Sequence, residues 1–418
     1  MIEWTESQLM IRDMVRKFVE TEIKPNVERL EHGDAPPYDV LRKLFKTFGM
    51  DEMARQRFRH QLAKDRKAEE ARARGEEPPK EEKQPRADGG DSAAMTLIPI
   101  IEICKYCPGL VTAMGVSVGL TAGSILSKGT IAQKERWALE LLTLDKIGAW
   151  AITEPGSGSD AFGGMKATAK RDGNGGYLLN GNKTFITNGP YADTIVFICK
   201  LDEEGVAPAD RKILHFVLDT GMPGLTQTKP MRKMGLHSSP TGELFLSDVK
   251  VGVDRLLGGS EEAAAKAGKA GAKDTFSTER SGVAAMSLGI IERCLELCVK
   301  YAKERVAWGQ PIGEYQLIQL KLAKMEVARM NVQNMVFRHI ELLANGKSMS
   351  FAEASAMKLY SAQAAMEVSL EAVQLFGGNG YMAEYHVEQL CRDAKVAQIY
   401  AGTDEMQVRA IARDLLTR

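Results

Sequence analysis

Tyr177-Leu178-Leu179-Asn180-Gly181-Asn182-Lys183-Thr184-Phe185-Ile186-Thr187 is where the period of this chain changes. Asn-Gly between two extended apolar runs is the strongest short hairpin signal a sequence offers, so a β-turn is expected at Asn180-Gly181. Thr194–Ile198, Ile213–Val217 and Leu244–Leu246 read as further strands. A compact β-domain is therefore expected over 149–252.

On either side the period is helical. Leu9, Ile11, Met14, Val15, Phe18 and Val19 recur at helical spacing, and the pattern resumes over Ala94–Leu142. Downstream, Ile290, Ile291, Cys294, Leu295 and Cys298 form an apolar stripe. Tyr315–Ala344 contains no Pro or Gly before Asn345-Gly346, and Ser350–Phe376 runs to Gly377-Gly378. Long amphipathic helices in series predict a bundle. The expected fold class is thus α+β and multidomain: an N-terminal helical domain (1–148), a central β-barrel-like domain (149–252) and a C-terminal four-helix bundle (253–418).

Two segments fit none of these. Asp51–Asp91 is dense in both charge signs around Glu76-Glu77-Pro78-Pro79-Lys80-Glu81-Glu82-Lys83, and is expected to be a solvated, mobile insertion, with a partner-docking arm as the sharper reading. Glu261–Lys273, rich in Ala, Gly and Lys, is expected to be a flexible lead-in within 253–274.

Composition narrows the function. The 418 residues carry 55 Lys+Arg and 55 Asp+Glu, a balance that argues against a dedicated nucleic-acid binder. The start is acidic, without the basic and apolar run of a signal peptide, and no apolar stretch is expected to reach a membrane span. Cytoplasmic placement is the plain expectation. The six cysteines mostly sit in apolar surroundings. Cys104-Lys105-Tyr106-Cys107 has CxxC spacing, yet no second pair or spaced histidines complete a zinc site, so inert packing and no metal are expected.

Ala151-Ile152-Thr153-Glu154-Pro155-Gly156-Ser157-Gly158-Ser159-Asp160 is dense in glycine and small hydroxyls, which admit close backbone approach and supply donors to a ligand. Alone it is a weak signal, and its glycines match neither a Walker loop nor a dinucleotide fingerprint. Together with Asn180–Gly189 it resembles the flavin-binding β-domain of the acyl-CoA dehydrogenase family. Met234-Gly-Leu, Glu304-Arg305-Val-Ala-Trp308-Gly-Gln-Pro-Ile, Gln374-Leu-Phe-Gly-Gly-Asn-Gly-Tyr381, Arg392-Asp-Ala-Lys395 and Ile399-Tyr-Ala-Gly-Thr-Asp-Glu-Met-Gln407 extend the resemblance over nearly the whole chain.

The resemblance implies an FAD enzyme that places a Cα–Cβ double bond in an acyl-CoA thioester, as in fatty-acid β-oxidation. Trp150, Thr153 and Ser159 would line the flavin and the acyl-pantetheine arm, with Phe185 and Thr187 on the isoalloxazine ring. Arg305, Trp308 and Gln316, with Gln374, Gly377 and Gly378 from a neighbouring subunit, would hold the FAD diphosphate and adenine, and Thr403 and Glu405 would touch FAD again. Ser159, Arg280, Tyr400 and Gly402 would meet substrate. A shared site implies an oligomer, usually a homotetramer, and an electron-transferring flavoprotein as acceptor. Read without the resemblance, Trp308 and Phe185 are equally core aromatics, and Arg305 a partner for Glu304.

The chemistry needs a base for the α-hydrogen and donors for the thioester carbonyl. In most of the family the base is a Glu directly before Gly-Thr of the last motif, where this chain has Ala401. Isovaleryl-CoA and long-chain acyl-CoA dehydrogenases instead place it early in the first long C-terminal helix, which here reads Phe276-Ser277-Thr278-Glu279-Arg280. Glu279 is thus the expected base, and the backbone N–H of Ala401 keeps the oxyanion role. Read alone, Glu279 is a first-turn glutamate favoured by the helix dipole. An acyl-CoA oxidase, a flavin monooxygenase relative and a non-catalytic binding protein on the same fold stay open. Thr112–Gly119 is expected along the acyl tail, where its small residues suit a roomy pocket or close helix packing.

Overall fold

The computed structural model describes residues 3–32, 36–76, 89–268 and 270–417. The longer helices before the sheet, among the described residues, are α1 (Glu6–Phe18), α2 (Tyr38–Thr47), α3 (Met50–Ala73), α4 (Gly89–Cys104) and α5 (Pro108–Lys128). Strands β1 (Gly148–Ala151), β2 (Thr168–Arg171), β3 (Gly176–Thr187), β4 (Thr194–Leu201), β5 (Ile213–Asp219), β6 (Leu225–Gln227) and β7 (Thr241–Gly252) follow. After them come α6 (Glu261–Gly268), α7 (Ala270–Glu304), α8 (Gln316–Ala344), α9 (Phe351–Phe376), α10 (Val387–Lys395) and α11 (Asp404–Thr417). The helix–sheet–helix order is the expected one.

The strands form one sheet in the order β1-β4-β2-β3-β7-β6, with β5 paired to β4. β1 and β2 run parallel to β4 and the other pairs are antiparallel. β4 is buried along its whole length, as a central strand must be.

The Asn180-Gly181 hairpin does not form. β3 runs straight through it as a twelve-residue strand paired with β7, with register shifts at Leu179/Gly181 and Lys183/Ile186. Two local contacts replace the turn. The Asn180 side chain donates to Asp248 Oδ1 and accepts from Asp248 N, both at 2.9 Å. Gly181, at φ 146°, leaves space that a Cβ would fill 2.6 Å from Ala167 Cβ. The glycine thus serves a bulge under close packing rather than a reversal.

The charged insertion is also corrected over its first part. Met50–Ala73 is a continuous helix, and 77–88 lie outside the described residues. Residues 50–73 contain no Gly or Pro and are rich in Ala, Arg, Lys, Glu and Gln, all strong helix formers. The helix docks because Phe58 is buried and Leu62 packs in the cluster of Trp137 and Leu141. Arg55–Asp145 at 2.8 Å, Lys134–Asp65 at 2.7 Å and Arg66–Glu135 flank that contact. Charge density read as solvation is here a rim of ion pairs around two apolar anchors. Within the lead-in, 261–268 and 270–273 are likewise helical, in α6 and the start of α7.

α5 corrects a third expectation. Its 21 residues contain an 18-residue window with a mean hydropathy of 1.6, long and apolar enough to cross a bilayer, yet half of that window is buried inside the fold. Its middle, Gly115–Ala122, is π-helical.

The C-terminal bundle is built on α7, α8, α9 and α11, with α9 capped by Ser350 and Glu353 and ended at Gly377, φ 61°. Such a capping box contributes on the order of 1 kcal/mol. α4 joins it: Ala94, Leu97, Ile98 and Ile101 share one core with Ala284, Leu288, Val332 and Ala365. Cys104 and Cys107 are buried free thiols, pushed up by desolvation, and no metal-binding group occurs among the described residues. The sheet is fastened to α10 by the Leu236 N–H donating to Asp393 Oδ1 and by Arg392 Nη1 donating to the Met234 carbonyl at 3.0 Å.

Candidate active site

Helical spacing puts Glu279, Gly282, Val283 and Met286 on one face of α7. That face meets the last motif. Val283 clusters with Ala397, Tyr400 and Ala401, and the Tyr400 hydroxyl donates to Met286 Sδ at 3.4 Å. Glu279 is partly buried. Desolvation pushes its carboxyl up to about 7, against the opposing pull of Arg280 and Lys358. A carboxylate held near neutrality is suited to accept and release a proton at ordinary pH. No Cβ would meet anything within 4 Å at Gly282, or at Gly115 and Gly119 of α5.

Arg280 is buried and stays beside the turn. Its Nη1 donates to Ser355 Oγ at 2.8 Å, its guanidinium lies 4.0 Å from the Phe351 ring centre, and its Nε has no partner. Nη2 lies 3.8 Å from where a Gly402 Cβ would be. Ala401 and Gly402 take φ 53° and 87°, a tight left-handed turn. Among the described residues no backbone acceptor takes the Ala401 N–H. Thr403 and Glu405 follow at the head of α11, where Thr403 and the Glu405 backbone N–H hold the Glu405 carboxyl below its usual range.

A second group lies on the sheet. Phe185 sits at φ 57° in the β3 bulge and is 66% exposed, so it is no core aromatic. Thr187 follows at the strand end and Thr153 beside it, its carbonyl accepting from Thr184 N at 2.9 Å. Ser159 is exposed in the glycine-rich loop, and Trp150 Nε1 is buried without a partner.

Two buried devices that the sequence reading missed hold this group. Glu154 accepts from Lys166 N, Ala167 N and Lys183 Nζ at 2.7, 3.0 and 2.8 Å, which fixes the loop to β3. Asn188 donates to the carbonyls of Ala113 and Gly148, each at 2.9 Å, and so pins α5 beside β1. Both were legible only as residues inside motifs, not as contacts.

The third group gathers at the far end of the bundle. Arg305, Gly377 and Gly378 line one cleft of about 400 Å³ with Tyr301, Leu375 and Asn379. Trp308 is 92% exposed at φ 48°, and Gln316 and Gln374 are exposed on α8 and α9. No ion pair joins Arg305 to Glu304 among the described residues.

These observations fit a flavin cofactor: an orphaned indole N–H, an exposed phenyl on a strained bulge, and a cationic cleft with bare glycine backbone. A helix–sheet–helix chain with such a site is a flavin-dependent oxidoreductase. Profiles for the N-terminal, middle and C-terminal domains of acyl-CoA dehydrogenase match residues 5–54, 149–249 and 266–416. An acyl-CoA dehydrogenase of Bacillus subtilis (strain 168) is 36% identical, covering 99% of this chain and 98% of its own. A mitochondrial isovaleryl-CoA dehydrogenase of Arabidopsis thaliana is 32% identical over 98% of this chain and 91% of its own. The butyryl-CoA dehydrogenase structure from Megasphaera elsdenii superposes with a TM-score of 0.79 at 33% identity, covering 99% of both chains. The chain belongs to the acyl-CoA dehydrogenase family. It is an FAD-dependent enzyme of acyl-CoA dehydrogenation.

Proposed function

We propose that the chain removes the elements of hydrogen from Cα and Cβ of a branched or long acyl-CoA, with Glu279 as the base. The observation that carries this is the pairing of Ala401, which cannot accept a proton, with a desolvated Glu279 on the α7 face that meets the same turn. Glu279 takes the α-proton. The Ala401 N–H donates to the thioester carbonyl as charge develops there, and the dry surroundings strengthen that bond. FAD, when bound, accepts the β-hydrogen with its electron pair as hydride. Phe185, Thr187, Trp150, Thr153 and Ser159 would hold and shield the ring. Arg305, Trp308, Gln316, Gln374, Gly377 and Gly378 would hold the diphosphate and adenine, and Thr403 and Glu405 a further part of the cofactor.

The third group is exposed and is rimmed by Trp308, Leu317 (75% exposed) and Tyr381 (82% exposed), apolar surface of the kind an assembly covers. A homotetramer in which this cleft completes a neighbour's FAD site accounts for that exposure. An electron-transferring flavoprotein would reoxidise the enzyme. The space at Gly115, Gly119 and Gly282 supports a bulky acyl group.

Anaerobic addition of straight, branched and cyclic acyl-CoAs to the yellow holoenzyme tests the reading. Bleaching should be fastest with branched or long chains. A flavin that none of them bleaches would refute dehydrogenation.

A further inference from the structure

Two fully buried side chains, from α9 and α11, converge on the Ala401–Gly402 turn. Lys358 of α9 donates from Nζ to the Gly402 carbonyl at 2.8 Å and lies 3.4 Å from Asp404 Oδ1. Gln407 of α11 donates from Nε2 to the Ala401 and Gly402 carbonyls at 3.0 and 2.7 Å. Both carbonyls of the turn are thus tied down by side chains from two helices.

The turn needs such a clamp. A non-glycine residue in the left-handed region costs on the order of 1 kcal/mol and persists only where its surroundings over-determine it. With the peptide planes on both sides of Gly402 held, φ at Ala401 sets the direction of the N–H that precedes it. An ammonium buried without full exposure to water is itself expensive, so a purely packing role is better served by an apolar side chain. Lys358 also faces Glu279 electrostatically, together with Arg280 and Asp404, the other charged groups around it.

We propose that Lys358 and Gln407 are positioning residues for the dehydrogenation: they lock the Ala401–Gly402 turn so that the Ala401 N–H is aimed at the thioester carbonyl. This rests on the assignment of Glu279 and Ala401 above. Neither side chain is required to touch substrate.

The test compares Lys358→Met and Gln407→Met holoenzymes using two CoA ligands. One is an alkyl thioether of CoA, which has no carbonyl for the N–H to meet. The other is a 3-thiaacyl-CoA, whose acidified α-hydrogen is lost on binding to give an enolate and a long-wavelength band with the flavin. Losing one oxyanion donor outright costs about 10²–10³-fold, and misaiming it should cost about tenfold. Both variants should therefore bind the thioether within about twofold of wild type and the enolate-forming ligand about tenfold more weakly.

If Lys358→Met does not fold, Gln407→Met still decides. An unchanged ratio of the two affinities would overturn the proposal. Glu279→Gln, run in parallel, separates the two levels. Continued flavin reduction by that variant would bring down the underlying assignment, whereas a dead Glu279→Gln beside unaffected clamp variants would bring down the clamp alone.

Discussion

The Ala401 turn and the Arg305 cleft, the two halves of one reaction in the proposed function, are built in opposite ways. Around Ala401 both carbonyls of the turn are held by buried side chains, and desolvation raises the Glu279 carboxyl beside it. Around Arg305 the guanidinium, Trp308, Gln316 and Gln374 are exposed, and bare glycine backbone lines the space between them. The first is preorganised within one chain. The second is an exposed surface, which the proposed assembly would cover. Chemistry that depends on tenths of an ångström calls for the first design, whereas cofactor retention tolerates the second.

The sharpest way to break the comparison is Glu279→Gln. Flavin reduction by acyl-CoA should fall about 10³-fold, the range of a lost general base, with FAD still bound. Stopped-flow bleaching reads the first and the visible spectrum the second. Next is pH. Protonated Glu279 cannot accept the α-proton, so below its value of about 7 the reduction rate should fall as pH falls, by about tenfold per unit. Above that value the rate should level off. A flat profile from pH 5.5 to 8.5 in this measurement, at ~0.1 M salt, would remove Glu279 as the titrating group.

Arg305→Ala should act at the other half only. FAD affinity should drop about tenfold, about the worth of one charge-assisted contact, while reduction at saturating FAD stays near wild type. Equilibrium dialysis followed by bleaching separates the two. The smallest effect on turnover belongs to a residue outside both halves. Phe58→Ala on α3 should cost about 3 kcal/mol of stability in denaturant unfolding, the usual scale for a buried Phe, and leave flavin reduction unchanged.

Much of the fold was legible because periodicity reports burial directly. The helices 316–344 and 351–376 and the strands around Val196, Phe216 and Phe245 appear where the pattern changes. Asn180-Gly181 misled because its two residues serve a bulge fixed by Asp248 and Ala167, partners remote in sequence. Residues 50–73 misled because one buried and one half-buried apolar side chain suffice to dock a helix dense in charge. At the candidate site, motif position singled out Glu279, Ala401 and Arg305 as the proposed base, oxyanion donor and cofactor contact. Lys358, Gln407 and Asn188 stayed hidden because their roles are contacts made through the backbone carbonyls of other segments.

The sharing of α4 with the bundle also shapes how the chain is made. Ala94, Leu97 and Ile98 leave the ribosome long before α7, α8 and α9, so their apolar face must wait while the whole sheet is synthesised. Contacts of such long sequence separation form late and slowly. A chain cut after the sheet would expose that face, and a bundle expressed from residue 253 onward would lack part of its own core. The three regions are therefore one cooperative folding unit, and the nascent protein is most exposed to aggregation between the end of β7 and the end of α9.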